Sequence, residues 1–378
     1  MILDTKLFKE VCSTILAAID NSELSTLKES LELKTVGTVL YLNVTNREYF
    51  ASVKFNLDHE EAFHATVNAT QFLKLIATVT CSQIEMTAHS TYLSIKANGN
   101  YKIPYIFDTM HPTEATLGPL ELPEITIDNP TVSMSVSGDI LNSILQVNSK
   151  EIAKSSVASP IQRLYYIDQQ GCITFTTGAC VNSFTLPEPI KVLINNRLVR
   201  LFKLFKKDMV TMTLGYDTVP TGDNTEIVQT KIKLETPTIC LTAITPSNDQ
   251  MLNKVPVERI RALADRPRDC RAVLNKEDFL QAVNRLSLFT NNDTLDITCT
   301  AENILIRSGE NEEALKAENG STVTDEVPSY SMLLNLTNLK LILESCSEQY
   351  VTMGYGDHQA ITISRGNVCN VCPESVRK

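Results

Sequence analysis

Residues 275–289 read NKEDFLQAVNRLSLF, and this stretch sets the pattern for the whole chain. Its apolar residues recur at three- and four-residue steps, as in Phe279 and Val283, which predicts an amphipathic helix with one buried stripe. Similar stretches begin at Thr5 (TKLFKEVCSTILAAI) and at Ser137 (SGDILNSILQVNSKEIAK). Three such helices, spaced at about a third of the 378 residues, indicate one unit that is used three times.

A second helical pattern follows within each third of the chain. It reads NATQFLKLIATV at 68–79, NNRLVRLFKLFKK at 195–207 and NLTNLKLILESC at 335–346. Each stretch opens with Asn, a favoured N-cap residue, ahead of apolar residues at helical spacing. The predicted helical segments are 5–19, 68–79, 137–154, 195–207, 275–289 and 335–346.

Between the helices the apolar residues alternate with a period of two, which predicts β-strands. The predicted strands lie at 39–44, 92–95, 209–214, 227–241, 351–353 and 361–363. We therefore expect an α+β protein of three repeated domains, at 1–126, 127–253 and 254–378, each with two helices and antiparallel sheets. Sheets of this kind leave unpaired edges unless neighbouring units continue them, which favours a closed assembly.

The charge is unevenly divided between the helices and the rest of the chain. The net charge is −10, yet the six helical segments contain 13 Lys or Arg against 6 Asp or Glu. Segment 195–207 alone has five basic residues and no acidic one. Such faces, lining a common surface, would meet phosphates without reading bases. A solvated helix face is the alternative explanation for any single helix.

Composition and motifs favour a binding protein over an enzyme. With 43% hydrophobic and 21% charged residues the chain is globular, and it has no nucleotide-binding or catalytic sequence motif. The five His are dispersed, and Cys369 and Cys372 form a lone C-x-x-C, so we expect no metal and no cofactor. Ten scattered Cys, no signal peptide and no membrane-spanning run predict a cytoplasmic protein. A cleft hydrolase or transferase, and a structural assembly protein such as a virion component, remain as alternatives.

A family resemblance follows from the order of several short segments. Residues 273–276, 288–289, 295–298, 310–313 and 371–373, with TTGACV at 176–181, fall in the order of the bacterial-type DNA sliding clamp, the β subunit of DNA polymerase III. The chain resembles this family over essentially its full length. The resemblance implies a head-to-tail homodimeric ring whose helices line a hole around double-stranded DNA. It also implies that DNA polymerase and a clamp loader bind through short linear peptides.

The family's sites can be placed on this sequence by motif position. The resemblance and the basic helices together predict DNA-facing residues at Lys6, Lys9, Lys74, Lys150, Lys154, Arg197, Arg200, Lys203, Lys207 and Arg285. The resemblance implies a partner-peptide pocket between the second and third domains, made of Ile161, Thr176, Gly178, Val181, Pro246, Gln250, Met251, Asn370, Val371, Cys372 and Pro373. Ordinary core packing is the alternative role of its apolar members.

The subunit contact is implied in the same way, between an edge of the first domain and an edge of the third. Its residues would be Lys96, Lys102, Leu288, Phe289, Glu310, Glu312 and Glu313, although the acidic run can also be read as a solvated loop. The sequence departs from the family at Ala179 and Cys180, where His-Arg is usual, at Gln250, where a basic residue is usual, and in the tail after Pro373. These departures indicate a divergent clamp, of a kind that a phage or mobile element carries.

Overall fold

The computed structural model describes most of the chain, and its elements repeat in one order. The described residues are 1–19, 26–107, 118–146, 160–175, 178–206, 208–220, 226–290, 293–319, 323–324, 328–356 and 360–373. Within them, the order strand, helix, four strands, helix, three strands occurs three times. The predicted α+β class with antiparallel sheets is therefore confirmed.

The three repeats have the following bounds. The first contains β1 (Ile2–Asp4), α1 (Thr5–Leu16), β2 (Ser30–Val36), β3 (Val39–Thr45), β4 (Tyr49–Asn56), β5 (His64–Asn68), α2 (Ala69–Thr78), β6 (Gln83–Ala88), β7 (Tyr92–Lys96) and β8 (Asn100–Pro104). The second contains β9 (Asn129–Ser137), α3 (Gly138–Gln146), a 3₁₀ helix (Pro160–Arg163), β10 (Leu164–Asp168), β11 (Gly171–Phe175), β12 (Ala179–Ser183), β13 (Lys191–Asn195), α4 (Asn196–Leu201), a second 3₁₀ helix (Phe202–Phe205), β14 (Met209–Pro220), β15 (Glu226–Glu235) and β16 (Ile239–Ile244). Two linker helices follow, α5 (Asp249–Leu252) and α6 (Val257–Asp265). The third contains β17 (Cys270–Asn275), α7 (Lys276–Leu286), β18 (Thr294–Thr300), β19 (Ile304–Ser308), β20 (Asn311–Leu315), β21 (Ser329–Asn335), α8 (Leu336–Glu344), β22 (Tyr350–Tyr355), β23 (Ala360–Arg365) and β24 (Val368–Pro373).

The second helix of each repeat begins at the predicted Asn. Asn68 Oδ1 accepts the backbone N–H of Gln71 at 2.9 Å, and Asn335 Oδ1 accepts that of Asn338 at 2.8 Å. Asn195 caps α4 in the same way. Each such bond satisfies one of the free N–H groups of a first helical turn, which stabilises a helix by about 1 kcal/mol. The predicted helix starts are confirmed by these caps.

The predicted helix at 195–207 is wrong in its second half. The α-helix ends at Leu201, and the next four residues form a 3₁₀ helix that ends at Phe205 and is followed by Lys206, where φ is 45°. In a 3₁₀ helix residues three apart lie on the same side, so Phe202 and Phe205 are both buried in the same direction. Lys203 is left exposed between them.

Other predicted elements also differ from the structure. The single strand predicted at 227–241 is a hairpin of β15 and β16, broken at Pro237, where Thr236 Oγ1 accepts the backbone N–H of Ile239 at 3.0 Å. The helices α5 and α6 were not predicted. The helices predicted to end at 19 and at 289 end at Leu16 and Leu286.

The described chain forms two compact units. Unit 1 comprises Met1–Leu141 and Arg200–Pro246, and unit 2 comprises Asn142–Val199 and Ser247–Lys378. Each unit contains one eight-stranded and one four-stranded antiparallel sheet. The orders are β5-β2-β3-β4-β16-β15-β14-β9 and β1-β6-β7-β8 in unit 1, and β13-β10-β11-β12-β24-β23-β22-β17 and β20-β19-β18-β21 in unit 2. Strands of the middle repeat therefore pair with both neighbouring repeats, and the three domain boundaries stay a prediction.

The helices bury their apolar faces at matching positions. Phe8 in α1 and Phe279 in α7 each stand four residues after the N-cap, and both are fully buried. Phe8 packs edge-on against Phe55 and Phe72, with ring centroids 5.6 and 6.3 Å apart. α1 packs on α2 and on β3 and β4, while α7 packs on α8 and on β19 and β20. Among the described helices, none combines the length and the hydropathy needed to cross a bilayer.

Replacing Phe8 or Phe279 by Ala should lower the free energy of unfolding by about 3–5 kcal/mol, because each ring would leave a cavity in a closed core. Leu7→Ala is the matched control, since Leu7 is 55% exposed and should change stability by no more than about 0.5 kcal/mol. Urea denaturation measures both. Equal losses for Leu7→Ala and Phe8→Ala would show that the buried face of α1 is assigned wrongly.

Candidate functional site

A cleft in unit 1 gathers basic side chains from distant parts of the sequence. It has a volume of about 1020 Å³ and lies among α1, β4 and the 3₁₀ helix Phe202–Phe205. Four lysines line it, namely Lys9, Lys54, Lys203 and Lys206, against the two acidic residues Glu10 and Asp208. The predicted DNA-facing residues Lys9 and Lys203 are thus brought together. A concave surface with this excess of positive charge attracts anions.

Local structure explains how the cleft lysines are presented. Lys9 follows the buried Phe8 in α1, is half-buried and lines the cleft. Lys203 is held outward by the buried residues on each side of it in the 3₁₀ helix. Lys54 lies on β4 and was not predicted, because its strand alternation alone does not reveal which face borders α1.

The other predicted DNA-facing residues fall into three groups. Lys6, Lys74 and Arg200 are exposed side chains of unit 1, while Arg197 is half-buried in unit 2. Lys150, Lys154 and Lys207 lie outside the described residues. Arg285 is engaged within its own chain. Its Nε and Nη2 donate to the two carboxylate oxygens of Glu313 at 2.6 and 2.5 Å.

The Arg285–Glu313 ion pair reduces the charge that each residue can present to DNA or to a second chain. The guanidinium hydrogen bonds hold the pKa of the Glu313 carboxyl below its usual range, so both groups stay charged and neutralise each other. Glu312 is likewise paired, with Arg307 across the β19–β20 ladder. Of the predicted acidic interface residues, Glu310 stands next to β20 and is exposed.

The remaining predicted interface residues lie near two sheet edges. Lys96 is on β7 and pairs with Glu85 at 3.4 Å, one strand in from the edge of its sheet. Lys102 is on the edge strand β8, with Nζ 4.9 Å above the centre of the Tyr92 ring. Leu288 and Phe289 follow α7 and are 78% and 58% exposed. Exposed large apolar side chains of this kind are a mark of contact surfaces.

An apolar cluster in unit 2 contains several predicted pocket residues. Ile161 and Val181 are buried in it together with Val255 and Ile260, and Met251 packs against it. Val371 is buried on β24 opposite Ala179, and a side chain at Gly178 would come within 2.6 Å of the Val371 carbonyl oxygen. Gly178 therefore allows close approach of the two strands. The members brought to this face are Ile161, Val181, Met251 and Val371.

Other predicted pocket residues are placed differently. Cys372 packs into the core of the third repeat, and strand alternation puts Asn370 on that same side of β24. Gln250 and Pro373 are exposed, and Pro246 is half-buried within unit 1. Thr176 lies outside the described residues.

A buried ion pair fixes helix α6 over the apolar cluster. The Arg261 guanidinium donates to the Asp168 carboxylate with 2.9 and 2.6 Å between nitrogen and oxygen, and the side chains are 15% and 11% exposed. This bonding raises the pKa of Arg261, and burial raises the pKa of the neighbouring Tyr166. Neither Arg261 nor Asp168 was predicted. The signal was available in part, since Pro256 is followed by apolar residues at helical spacing.

The described residues contain no group of three His, Cys, Asp or Glu suited to a metal ion. Cys369 and Cys372 are three residues apart on β24, so their side chains point to opposite faces of the sheet. Neither cysteine forms a disulfide. Burial raises the pKa of Cys369, which lowers its reactivity.

Solved structures that this chain resembles in fold include bacterial sliding clamps. The DNA polymerase III subunit β of Pseudomonas aeruginosa matches with a TM-score of 0.75 at 13% identity, over 99% of both chains. The Helicobacter pylori β clamp in complex with 3,4-difluorobenzamide gives 0.74 at 14% identity over 100% of both chains. The Helicobacter pylori β clamp bound to a DNA ligase peptide gives 0.72 at 14% identity, over 100% of this chain and 99% of the other.

The likeness is one of fold. No family model and no curated protein matches the sequence. The chain has the fold of the bacterial DNA polymerase III β sliding clamps along its whole length, and the resemblance noted in the sequence is confirmed at that level.

Thiol reactivity and disulfide mapping test the placement of the cysteines. In the native protein a thiol reagent should modify the half-buried Cys81 before the buried Cys12 and Cys172, since burial raises the pKa of these two thiols and excludes the reagent. Non-reducing peptide mapping should find no bond between Cys369 and Cys372. A Cys369–Cys372 disulfide in the folded protein would contradict their placement on opposite faces of β24.

Proposed function

We propose that the protein is a DNA sliding clamp, in which two chains close head to tail around duplex DNA in the cytoplasm. It carries DNA polymerase along the duplex and catalyses no reaction itself. The observation that carries this proposal is the way in which the sheets join across repeats. β4 pairs with β16, and β12 pairs with β24. Each joint links the fourth strand of one repeat to the last strand of the next repeat.

If fourth strands pair with last strands throughout, one fourth strand and one last strand remain to pair with a second chain. In the described residues, β20 is the fourth strand of the last repeat and pairs only with β19, while β8 is the last strand of the first repeat and pairs only with β7. A free edge of this kind is a template for another strand. Pairing β20 of one chain with β8 of the next would repeat the internal joint, and two chains of three repeats would close.

The register of the two internal joints predicts the register between chains. Counting across each sheet from the helix caps makes Ser52, Val181 and Glu312 equivalent, and makes Cys240, Cys369 and Asn100 equivalent. Ser52 lies opposite Cys240, and Val181 lies opposite Cys369.

By the same register, Glu312 of one chain lies opposite Asn100 of the next. Strands run antiparallel at both internal joints, so two residues further along Glu310 lies opposite Lys102. Opposite charges directly across a ladder favour the pairing. The exposed Leu288 and Phe289 follow α7, which packs on β20, and would add apolar area to the contact.

A charge exchange tests this register. Lys102→Glu should weaken the dimer about tenfold, because the ring contains the contact twice and each copy would place two carboxylates together. The double variant Lys102→Glu with Glu310→Lys should restore the affinity. Lys96→Glu is the matched control and should have a smaller effect, since Lys96 lies one strand inside the edge. Sedimentation measures the dissociation constants.

The same experiment distinguishes a ring from other assemblies. The wild-type protein should have twice the 42.0 kDa mass of one chain. Open-ended polymers would favour the structural assembly protein, because a head-to-tail contact that does not close makes filaments. A double variant no tighter than Lys102→Glu alone would reject the register.

The basic cleft supports the proposed contact with DNA. Lys9, Lys203 and Lys206 offer ammonium groups that suit phosphates and carry no information about base sequence. Encirclement, rather than tight binding, would then keep the ring on DNA. Contacts of this kind are loose enough for the protein to slide.

Retention on DNA should separate encirclement from simple binding. Protein loaded on a closed circular duplex should survive high salt, while binding to a short linear duplex should weaken steeply. Equal salt sensitivity on the two substrates would oppose the proposal.

The cleft lysines should account for part of the salt dependence on linear duplex. Lys9→Glu with Lys203→Glu should reduce the slope of log affinity against log salt by about 2, one for each lost phosphate contact. The exposed pair Lys191→Glu with Lys316→Glu changes the net charge equally and should leave the slope nearly unchanged. Equal slopes for the two double variants would show that the cleft does not contact DNA.

We also assign the binding of DNA polymerase and of a clamp loader to the apolar cluster of unit 2. Ile161, Val181 and Met251 come from three separate elements, and an apolar side chain of a short linear peptide could pack among them. The β clamp of Helicobacter pylori has been solved with a DNA ligase peptide bound.

A further inference from the structure

The two eight-stranded sheets have equivalent faces of opposite character. Residues that lie directly opposite one another on neighbouring strands form a row across each sheet. The row in unit 1 is Thr66, Glu32, Asn43, Ser52 and Cys240, and the equivalent row in unit 2 is Leu193, Tyr166, Ile173, Val181 and Cys369. In unit 2 the first four belong to the apolar cluster assigned to partner peptides. In unit 1 the buried Glu32 is hydrogen-bonded to Asn43 and His64, and the face is polar.

The segment that follows β8 and the segment that follows β16 each contact these equivalent residues, but the two segments have different conformations. In unit 1, the described residues 118–128 contain no helix, and Thr66 Oγ1 donates to the Leu120 carbonyl at 2.5 Å. A cleft of about 540 Å³ remains there beside Glu121 and Leu122. In unit 2, Ser247 Oγ bonds to both backbone groups of Leu193, and the chain then folds into α5 and α6.

The linker helices of unit 2 place apolar side chains where unit 1 keeps open space. Val255 and Ile260 are buried in the cluster beside Ile161 and Val181, and Val257 and Ala264 pack against it. These side chains therefore cover the surface that an apolar peptide would need. Residues 255–264 of the chain itself therefore occupy this apolar surface.

Few buried contacts hold α6 against the eight-stranded sheet of unit 2. The helix has nine residues, no side-chain cap at Pro256, and one buried residue, Ile260. Isolated helices of this length are marginal in water, so α6 depends on its contacts. The Arg261–Asp168 pair ties it to β10, and Arg268 Nη2 donates to the Leu263 carbonyl at 2.8 Å.

We propose that α6 is a displaceable cover on the partner-peptide site, which a peptide must lift by replacing Val255 and Ile260 and releasing Arg261 from Asp168. This inference rests on the peptide-binding role proposed above. The free chain is then mostly in the covered state, and the measured affinity is the intrinsic affinity reduced by the open fraction. Weakening the latch raises that fraction and tightens peptide binding.

The first test uses the latch. The probe is the DNA ligase peptide that the Helicobacter pylori β clamp binds, labelled for fluorescence anisotropy. Arg261→Gln should bind it about tenfold more tightly than the wild-type protein. Arg259→Gln is the matched control, because Arg259 is exposed on the same helix, and it should bind like the wild type. Circular dichroism checks that both variants are folded.

The second test locks the cover. Cys369 Sγ lies 3.9 Å from the carbonyl oxygen of Ala264, on the face of α6 that packs against the cluster. In Ala264→Cys, oxidation should join α6 to β24 through a disulfide with Cys369 and abolish binding, and reduction should restore it. Peptide mapping confirms the bond.

Several outcomes would overturn the inference. These are equal affinities for Arg261→Gln and the wild type, full binding by the disulfide-locked Ala264→Cys, or no binding by any variant, since an opened latch must expose the site. Retention on circular DNA is measured in parallel on the same proteins. Retained circular DNA with a failed latch test rejects the cover and leaves the clamp function in place.

Discussion

Backbone pairing between repeats is the constraint on which the rest of the structure depends. A strand edge leaves N–H and C=O groups that need partners, and here β4 finds them on β16 and β12 finds them on β24. The middle repeat consequently gives strands to both units. These joints make the faces of the two eight-stranded sheets equivalent, and among the described residues they leave β8 and β20 each with one unpaired edge.

The chemistry of the molecule is set by small local features on this frame. In unit 1, a helix that tightens into a 3₁₀ turn buries Phe202 and Phe205 and leaves Lys203 beside Lys9. In unit 2, the Arg261–Asp168 ion pair and the buried Ile260 hold a short helix against the apolar cluster. The first feature brings Lys9 and Lys203 together in one basic cleft. The second places the Arg261–Asp168 ion pair beside the apolar cluster.

The sequence predicted the features that depend on neighbours along the chain. Helix starts at Asn68, Asn195 and Asn335 were predictable because capping acts within three residues, and the α+β repeat was predictable from changes of apolar period. The Arg285–Glu313 and Arg261–Asp168 pairs join residues 28 and 93 positions apart. No local pattern contains such contacts.

The candidate sites show the same division. The resemblance implied a pocket that includes Ile161, Val181 and Met251, and the structure places these three residues in or against one apolar cluster, while their role in peptide binding stays a prediction. Motif position could not show that Cys372 faces the opposite side of β24, or that α6 lies over the cluster. Both depend on how a strand alternates and on what packs against it after folding.

The polar character of the unit 1 sheet has a consequence for stoichiometry. An apolar side chain placed on that face would lie against the Glu32 carboxylate and the polar side chains of Asn43 and Ser52, and it could not hydrogen-bond to any of them. Polar groups covered by apolar atoms without new hydrogen bonds are unfavourable. Under the proposed function, each subunit would offer a single receptor for apolar peptides despite its duplicated architecture, and a closed pair of subunits could engage two different client proteins at once.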